Sequence, residues 1–146
     1  MGNVLEIIPL GGIGEFGMNC MAVRYDDDII VIDAGMGFPE ESVYGVDVSV
    51  PDFDFLEEYR DNITAIILTH GHEDHVGALP YLLRDLARPV PVIGSAFTLE
   101  LLQGKLEEHD VIVHPGYFFD FERDGYFVVS LLTPPEALAE GISRIV

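Results

Sequence analysis

Basic side chains are scarce in this sequence, and the scarcity restricts what it can bind. Seven lysines and arginines stand against 26 aspartates and glutamates, which gives a net charge of −19. Nucleic acids are held largely through lysine and arginine contacts to phosphates, so this balance argues against binding them by general electrostatics. The acidic surplus is compatible with cation binding and good solubility, and we expect most of these acids on a solvated surface.

Cysteines and long apolar runs are also few. Cys20 is the only cysteine, which excludes an intrachain disulfide and a cysteine-based zinc site, and its apolar neighbours predict a small core residue. No apolar run approaches the roughly 18 residues that a membrane span needs. The N-terminus has no basic segment followed by an apolar stretch, so we see no signal peptide. We therefore expect a cytoplasmic protein without a membrane partner.

Nearly half of the 146 residues are apolar, which is enough for one globular domain with its own core. Apolar runs between turn residues predict strands at 5–10, 19–25, 29–32, 63–68, 90–93 and 126–132. Helical spacing and capping residues predict helices at 53–59 behind Asp52, at 77–86, at 96–108 behind Ser95 and at 135–144. Three aspartates at 26–28 predict a hairpin turn. Residues 34–52 contain glycine, proline and aspartate without a clear period, which predicts a long loop. This is an α/β chain.

The strongest chemical signal is the run HGHEDH at 70–75, which holds three of the five histidines. It lies between an apolar strand and an apolar helix, where chemistry commonly sits. Histidine nitrogens and carboxylate oxygens bind zinc, and histidines two apart in an extended segment point to the same side. Four ligands suit two ions about 3.5–4 Å apart better than one. His70 and His72 would hold one ion. Asp74 and His75 would hold the other.

The same residues resemble a known family. The H-x-H-x-D-H run resembles the signature motif of the metallo-β-lactamase superfamily. The opening PLGGIGEFGMN at 9–19, the segments at 31–35, 38–40, 45–47 and 51–52, and the run LTHGHEDHVGALPYLL at 68–83 are similar to ribonuclease J. This resemblance covers residues 4 to about 109.

The resemblance implies an αββα sandwich, of which this chain would be the N-terminal half. It implies zinc as the cofactor, although histidine and carboxylate ligands also accept manganese. It further implies 5′-exonucleolytic and endonucleolytic cleavage of RNA, with Asp33 as a carboxylate beside the site. Asp74 would be catalytic: it would orient the activated water that attacks phosphorus while the ions polarise the phosphate oxygens.

The family pattern stops near residue 109. The further ligands and the inserted second domain that the family supplies later do not fit in the rest of the chain. His109 and His114 match no later motif, so we expect surface or loop histidines, with a homo-oligomer as one way to complete the ligand set. Residues 110–146 resemble the C-terminal end of class I aminotransferases, without the lysine that binds pyridoxal phosphate. We therefore expect a partial metallo-β-lactamase domain at 1–109 and an aminotransferase-like segment at 110–146, produced by truncation or fusion. The alternative is that the tail is simply divergent.

Two groups of alternatives remain open. The glycines at 12, 14 and 17, with Asp33 about 20 residues on, fit a dinucleotide-binding fingerprint, but the stretch before residue 26 is too short for a crossover helix. We therefore favour the interpretation that these glycines form a tight turn beside the metal site. On the histidine motif, the chain could be an RNA-cleaving enzyme that is incomplete alone, a hydrolase of small esters or lactams, or an inactive metal-binding fragment.

Overall fold

The computed structural model describes residues 4–38 and 46–109, and the backbone of 112–115 and 126–130. The strands are β1 (Leu5–Gly11), β2 (Cys20–Tyr25), β3 (Asp28–Ile32), β4 (Ile63–Ile67), β5 (Val90–Ile93), β6 (Ile112–Pro115) and β7 (Tyr126–Ser130). The helices are α1 (Asp54–Glu58), α2 (Glu73–Val76), α3 (Leu79–Leu86) and α4 (Ala96–Glu108), with a 3-10 turn at Arg60–Asn62. The predicted α/β class is confirmed.

The strands pair into one sheet in the order β1-β2-β3-β4-β5-β7-β6. β1, β2 and β3 are antiparallel neighbours, and the predicted hairpin turns through Asp26, whose φ is 53°. β3, β4 and β5 run parallel, so their carboxyl ends meet at one edge of the sheet. Because 20–25 is a strand, the helix that a dinucleotide-binding fingerprint requires is missing there, and that alternative is wrong.

One face of the sheet packs against the helices. Every second residue of a strand points to the same face, which places alternate apolar residues of β2, β3 and β5 in the core. On α3 the leucines are spaced to form one stripe, and burial of each contributes about 1.5–3 kcal/mol. All four described helices supply buried side chains to this core. The set includes Ala22, Ile29, Val31, Leu56, Ile66, Val76, Leu79, Leu82, Leu83, Leu86, Val90, Val92, Leu99 and Leu102.

The opposite face of the sheet is apolar but only half-buried. Its side chains include Met21, Val23, Ile30, Ile32, Ile67 and Ile93. One sheet with helices on one side is one half of the predicted αββα arrangement, so the described residues agree with the half-sandwich expected from the sequence. No helix in the described ranges is both long and apolar enough to cross a membrane.

Three predictions of local structure need correction. The residue that caps α1 is Phe53, while Asp52 accepts a hydrogen bond from the amide of Asp54 at 2.9 Å. Helical structure begins at Glu73, inside the histidine motif, because tertiary hydrogen bonds hold that turn. β6 forms in a stretch where the sequence predicts no strand, because pairing with β7 supplies hydrogen bonds that no local pattern indicates. The predicted helix at 135–144 and residues 39–45 of the predicted loop lie outside the described residues.

Candidate metal centre

The histidine motif lies at the carboxyl edge of the parallel strands. β4 ends at Ile67, and the chain passes through Leu68 and Thr69 into the motif. β3 ends at Ile32, and Asp33 follows it with a left-handed φ of 60°. Because β3 and β4 are parallel neighbours, the residues after each strand meet at this edge, which is the usual position of sites in open α/β sheets.

Backbone hydrogen bonds fix the motif against the segments that follow β3 and precede β2. The amide of Ala34 donates to the carbonyl of His75 at 2.8 Å, and the amide of Asn19 donates to the carbonyl of Asp74 at 3.0 Å. Gly35 lies so close to this backbone that a Cβ there would overlap the carbonyl oxygen of Asp74. The motif therefore packs closely against hydrogen-bonded backbone, part of which belongs to the predicted loop at 34–52.

The structure brings the four predicted ligands together as neighbours. The ring centroid of His70 lies 4.6 Å from that of His72 and 4.0 Å from that of His75. Oδ2 of Asp74 lies 3.6 Å from Nε2 of His75. Within 4–38 and 46–109, no three histidine, cysteine, aspartate or glutamate side chains form a group that could hold an ion. The assignment of these residues as ligands stays a prediction.

Asp33 is the buried carboxylate behind this cluster. Asp33 is 5% exposed. The carboxylate accepts hydrogen bonds from the amide and the hydroxyl of Thr69, each at 2.8 Å. It also lies 2.8 Å from Nδ1 of His75, which donates the third hydrogen bond. These partners offset the cost of burying a charge, and with Nδ1 protonated they leave Nε2 as the unprotonated ring nitrogen of His75.

Thr69 connects the same carboxylate to a second histidine. Its hydroxyl donates to Asp33, and its oxygen lies 3.1 Å from Nδ1 of His70, from which it can accept. Nε2 of His70 is then also available to a ligand. Metal-binding histidines commonly donate their other ring N–H to a carboxylate, a carbonyl oxygen or water, which fixes the tautomer and the ring orientation. One buried carboxylate therefore orients two imidazoles, directly and through a hydroxyl.

Sequence reasoning missed two polar residues of this cluster. Thr69 is one, and Asn19 is the other. Nδ2 of Asn19 lies 3.0 Å from the carbonyl oxygen of Asp74 and 3.3 Å from Nε2 of His75. The available signal was position: Thr69 directly precedes the first histidine, and Asn19 ends the glycine-rich opening. Polar residues at such places are candidates for hydrogen bonds to the predicted ligands.

The only lysine of the sequence joins the motif to α4. Nζ of Lys105 forms an ion pair with the carboxylate of Glu73, which stands between the second histidine and the aspartate of the motif. A partly exposed pair contributes at most about 1 kcal/mol. The ion pair means that the Lys105 ammonium, which lies beside the predicted site, is already bound to a carboxylate.

Cys20 and His109 do not join the cluster. Cys20 is buried in β2, and this burial, aided by the nearby charge of Asp33, raises the pKa of its thiol to about 12. The thiol stays protonated at neutral pH, so the predicted core role is confirmed. His109 follows α4, with its ring 5.1 Å from that of Tyr81. His114 lies in β6, and its side chain is outside the described residues.

The donor chemistry fits a divalent ion. Three imidazoles and one carboxylate suit zinc, and the same set accepts manganese. Two of the imidazoles already have the outer hydrogen bonds that such ligands usually need. The donors are suitable in kind, but they are short in number for two complete coordination shells.

A family model of the metallo-β-lactamase superfamily matches residues 13–138. The chain belongs to this superfamily. Membership confirms the resemblance carried by the histidine motif and the predicted fold class. The match also extends into the segment for which we expect an aminotransferase-like character, and the division at residues 109 and 110 stays a prediction.

The chain is similar to proteins named ribonuclease J. The chain is 51% identical to ribonuclease J of Thermus thermophilus over 117 residues, which are 78% of this chain and 20% of that protein. It is 46% identical to ribonuclease J of Helicobacter pylori over 119 residues, 82% of this chain and 17% of the relative. Ribonuclease J2 of Bacillus subtilis is 46% identical over 105 residues, 72% of this chain and 19% of the relative. The chain spans about a fifth of the length of these curated relatives.

Proposed function

We propose that these residues form part of a metal-dependent ribonuclease site of the ribonuclease J type, with RNA as the substrate and the cytoplasm as the location. The observation that carries the proposal is the contact between Nδ1 of His75 and the buried carboxylate of Asp33, at 2.8 Å. A polar loop without function would gain little from burying a charge in order to orient an imidazole. The ribonuclease J relatives supply the substrate class.

Each residue has a role in this proposal. His70 and His72 would hold one ion, and Asp74 and His75 would hold the other, with zinc or manganese as the metal. When bound, the ions would polarise phosphate oxygens and lower the pKa of water. The chain itself orients the reactants: the Asp33 carboxylate keeps two imidazoles in place, and the half-buried carboxylate of Asp74 accepts a hydrogen bond from the attacking water.

The site is incomplete within these 146 residues in this proposal. A catalytic zinc ion usually has three protein ligands, and the described residues offer two for each ion. A second copy of the chain could add His109 or His114, and the remainder of a longer polypeptide could add other ligands. Full activity therefore depends on groups from outside the described part of the chain.

A chimera tests the function directly. The matched segment of Thermus thermophilus ribonuclease J would be replaced by the equivalent residues of this chain, which are 51% identical. With zinc or manganese we expect release of nucleotides from a 5′-monophosphorylated RNA, and its loss in Asp74→Ala. Hydrolysis of nitrocefin or a thioester without cleavage of RNA would favour the small-molecule alternative. A folded, metal-loaded chimera that cleaves none of these substrates would favour the inactive fragment.

A further inference from the structure

An exposed phenylalanine adjoins the aspartate of the histidine motif. Phe16 is 88% exposed and lies in the glycine-rich opening, directly before Gly17. The backbone of Gly17 is buried against the motif: a Cβ there would lie 3.8 Å from Cβ of Asp74. The neighbouring Ile13 is 75% exposed in the same loop. The loop thus presents an aromatic ring to solvent beside a predicted ligand.

A second exposed phenylalanine adjoins the other end of the motif. Phe97 is 70% exposed in the first turn of α4, and it lines a surface pocket with Glu100 and Leu101. The same helix packs against the motif, since a Cβ on Gly71 would lie 3.0 Å from Cδ1 of Leu101. Two separate elements that contact the motif loop therefore each carry an exposed phenylalanine.

Among the described residues near the site, few cations are available to contact phosphates. The chain carries −19, and Lys105, its only lysine, is paired with Glu73. Arg24 and Arg84 also lie close to carboxylates, of Glu6 and Asp85. Contacts to phosphates supply most of the affinity in ordinary nucleic-acid binding. Beside the proposed ions, an RNA held by the described residues would gain affinity from contacts to its bases.

We propose that Phe16 and Phe97 are stacking platforms for unpaired bases of RNA, one at each end of the motif loop. This inference rests on the proposed ribonuclease function. Bases in a duplex are stacked on one another, whereas single-stranded bases are free to stack on aromatic side chains. Each such contact is worth about 1–3 kcal/mol and tolerates any base, because every base has a π-face. The site would therefore select single strands without selecting sequence.

Binding of a fluorescent, 5′-monophosphorylated oligoadenylate to the metal-loaded 146-residue chain tests this, with fluorescence anisotropy as the readout. We expect Phe16→Ala and Phe97→Ala each to weaken binding roughly 5- to 100-fold, and the double variant to weaken it further. Phe16→Tyr and Phe97→Tyr should stay within about twofold of the unsubstituted chain, since tyrosine also stacks. An abasic oligomer of equal length should bind weakly and respond to none of these changes. Leu5→Ala, an exposed apolar residue at the far end of β1, is the matched control.

Several results would overturn the proposal. Unchanged affinity in both alanine variants would do so, and so would full affinity in Phe16→Leu and Phe97→Leu. A third such result is the absence of measurable RNA binding by the unsubstituted chain. If circular dichroism shows that an alanine variant is unfolded, the tyrosine and leucine variants decide. RNA cleavage by the chimera is measured separately, so a failure of the stacking proposal would leave the ribonuclease proposal standing.

Discussion

Nδ1 of His75 lies 2.8 Å from Oδ2 of Asp33, across 42 residues of sequence. This contact joins the end of β3 to the histidine motif that follows β4. It satisfies a buried carboxylate and selects which nitrogen of the imidazole carries the proton. The support of the predicted metal site is therefore assembled by the parallel pairing of two strands.

The outer hydrogen bonds should control metal affinity. Because Asp33 and Thr69 orient two imidazoles, we expect Asp33→Asn and Thr69→Val each to weaken zinc binding by about 10- to 100-fold. Titration calorimetry or competition with a chelator measures the change. Asp61→Asn, an exposed carboxylate at the opposite end of β4, is the control and should bind as the unsubstituted chain does. Equal zinc affinity in all three variants would show that Asp33 and Thr69 do not support the metal site.

Metal binding by the 146-residue chain should be weak. The proposed assignment gives each ion two ligands, one short of the three that a catalytic zinc usually has. Calorimetry should accordingly show affinity well below the nanomolar range, and the double variant His70→Ala, His72→Ala should lose most of it. Nanomolar binding of two zinc ions would show that the ligand set is complete, and unchanged affinity in the double variant would show that the site lies elsewhere.

Two glycines should respond to alanine in opposite directions. Gly35→Ala places a methyl group on the carbonyl oxygen of Asp74, and we expect a loss of about 1–3 kcal/mol or more in the free energy of unfolding. Gly104→Ala in α4 meets no atom within 4 Å, and we expect a gain of about 0.5–1 kcal/mol. Urea unfolding measures both. A tolerated Gly35→Ala would mean that the motif loop is free to move away.

The buried thiol should make stability depend on pH in the alkaline range. The pKa of Cys20 rises from its ordinary value of 9.0 to about 12 in the folded chain, so the unfolded chain loses its proton first. The stabilising contribution is full below pH 9.0 and is lost as the pH rises towards 12. The difference in unfolding free energy between the chain and Cys20→Ala should therefore shrink as the pH rises above 9.0 towards 12. A constant difference would contradict the raised pKa.

The chain alone should show no substantial ribonuclease activity. In the proposed site each ion lacks a third protein ligand, which should lower the rate of cleavage. Inexact positioning of the reacting groups should lower it further, since a misplacement of about 1 Å can lower a rate about 100-fold. Purified chain with zinc or manganese and a 5′-monophosphorylated RNA provides the test. Metal-dependent release of nucleotides that disappears in Asp74→Ala would refute this prediction. It would point to ligands donated by a second copy, which size-exclusion chromatography would detect as a dimer.

The sequence by itself determined the strands β1 to β5, the helices α3 and α4, and the place of the histidine motif. These features depend on local spacing. An apolar run between turn residues marks a strand such as β2, leucines at 79, 82, 83 and 86 form one helical stripe, and Ser95 caps α4 through the amide of Thr98 at 3.1 Å. The motif was readable because ligand-type residues were concentrated within six positions.

Only the tertiary structure decided how the motif is supported. Asn19, Asp33 and Thr69 are separated by many residues, and each acts through a hydrogen bond that exists only when β2, β3 and β4 are paired in register. The same holds for β6, which is extended because β7 lies beside it. Spacing along the chain records which face a side chain occupies, whereas contacts between strand ends depend on the pairing of distant segments, and that information is not local.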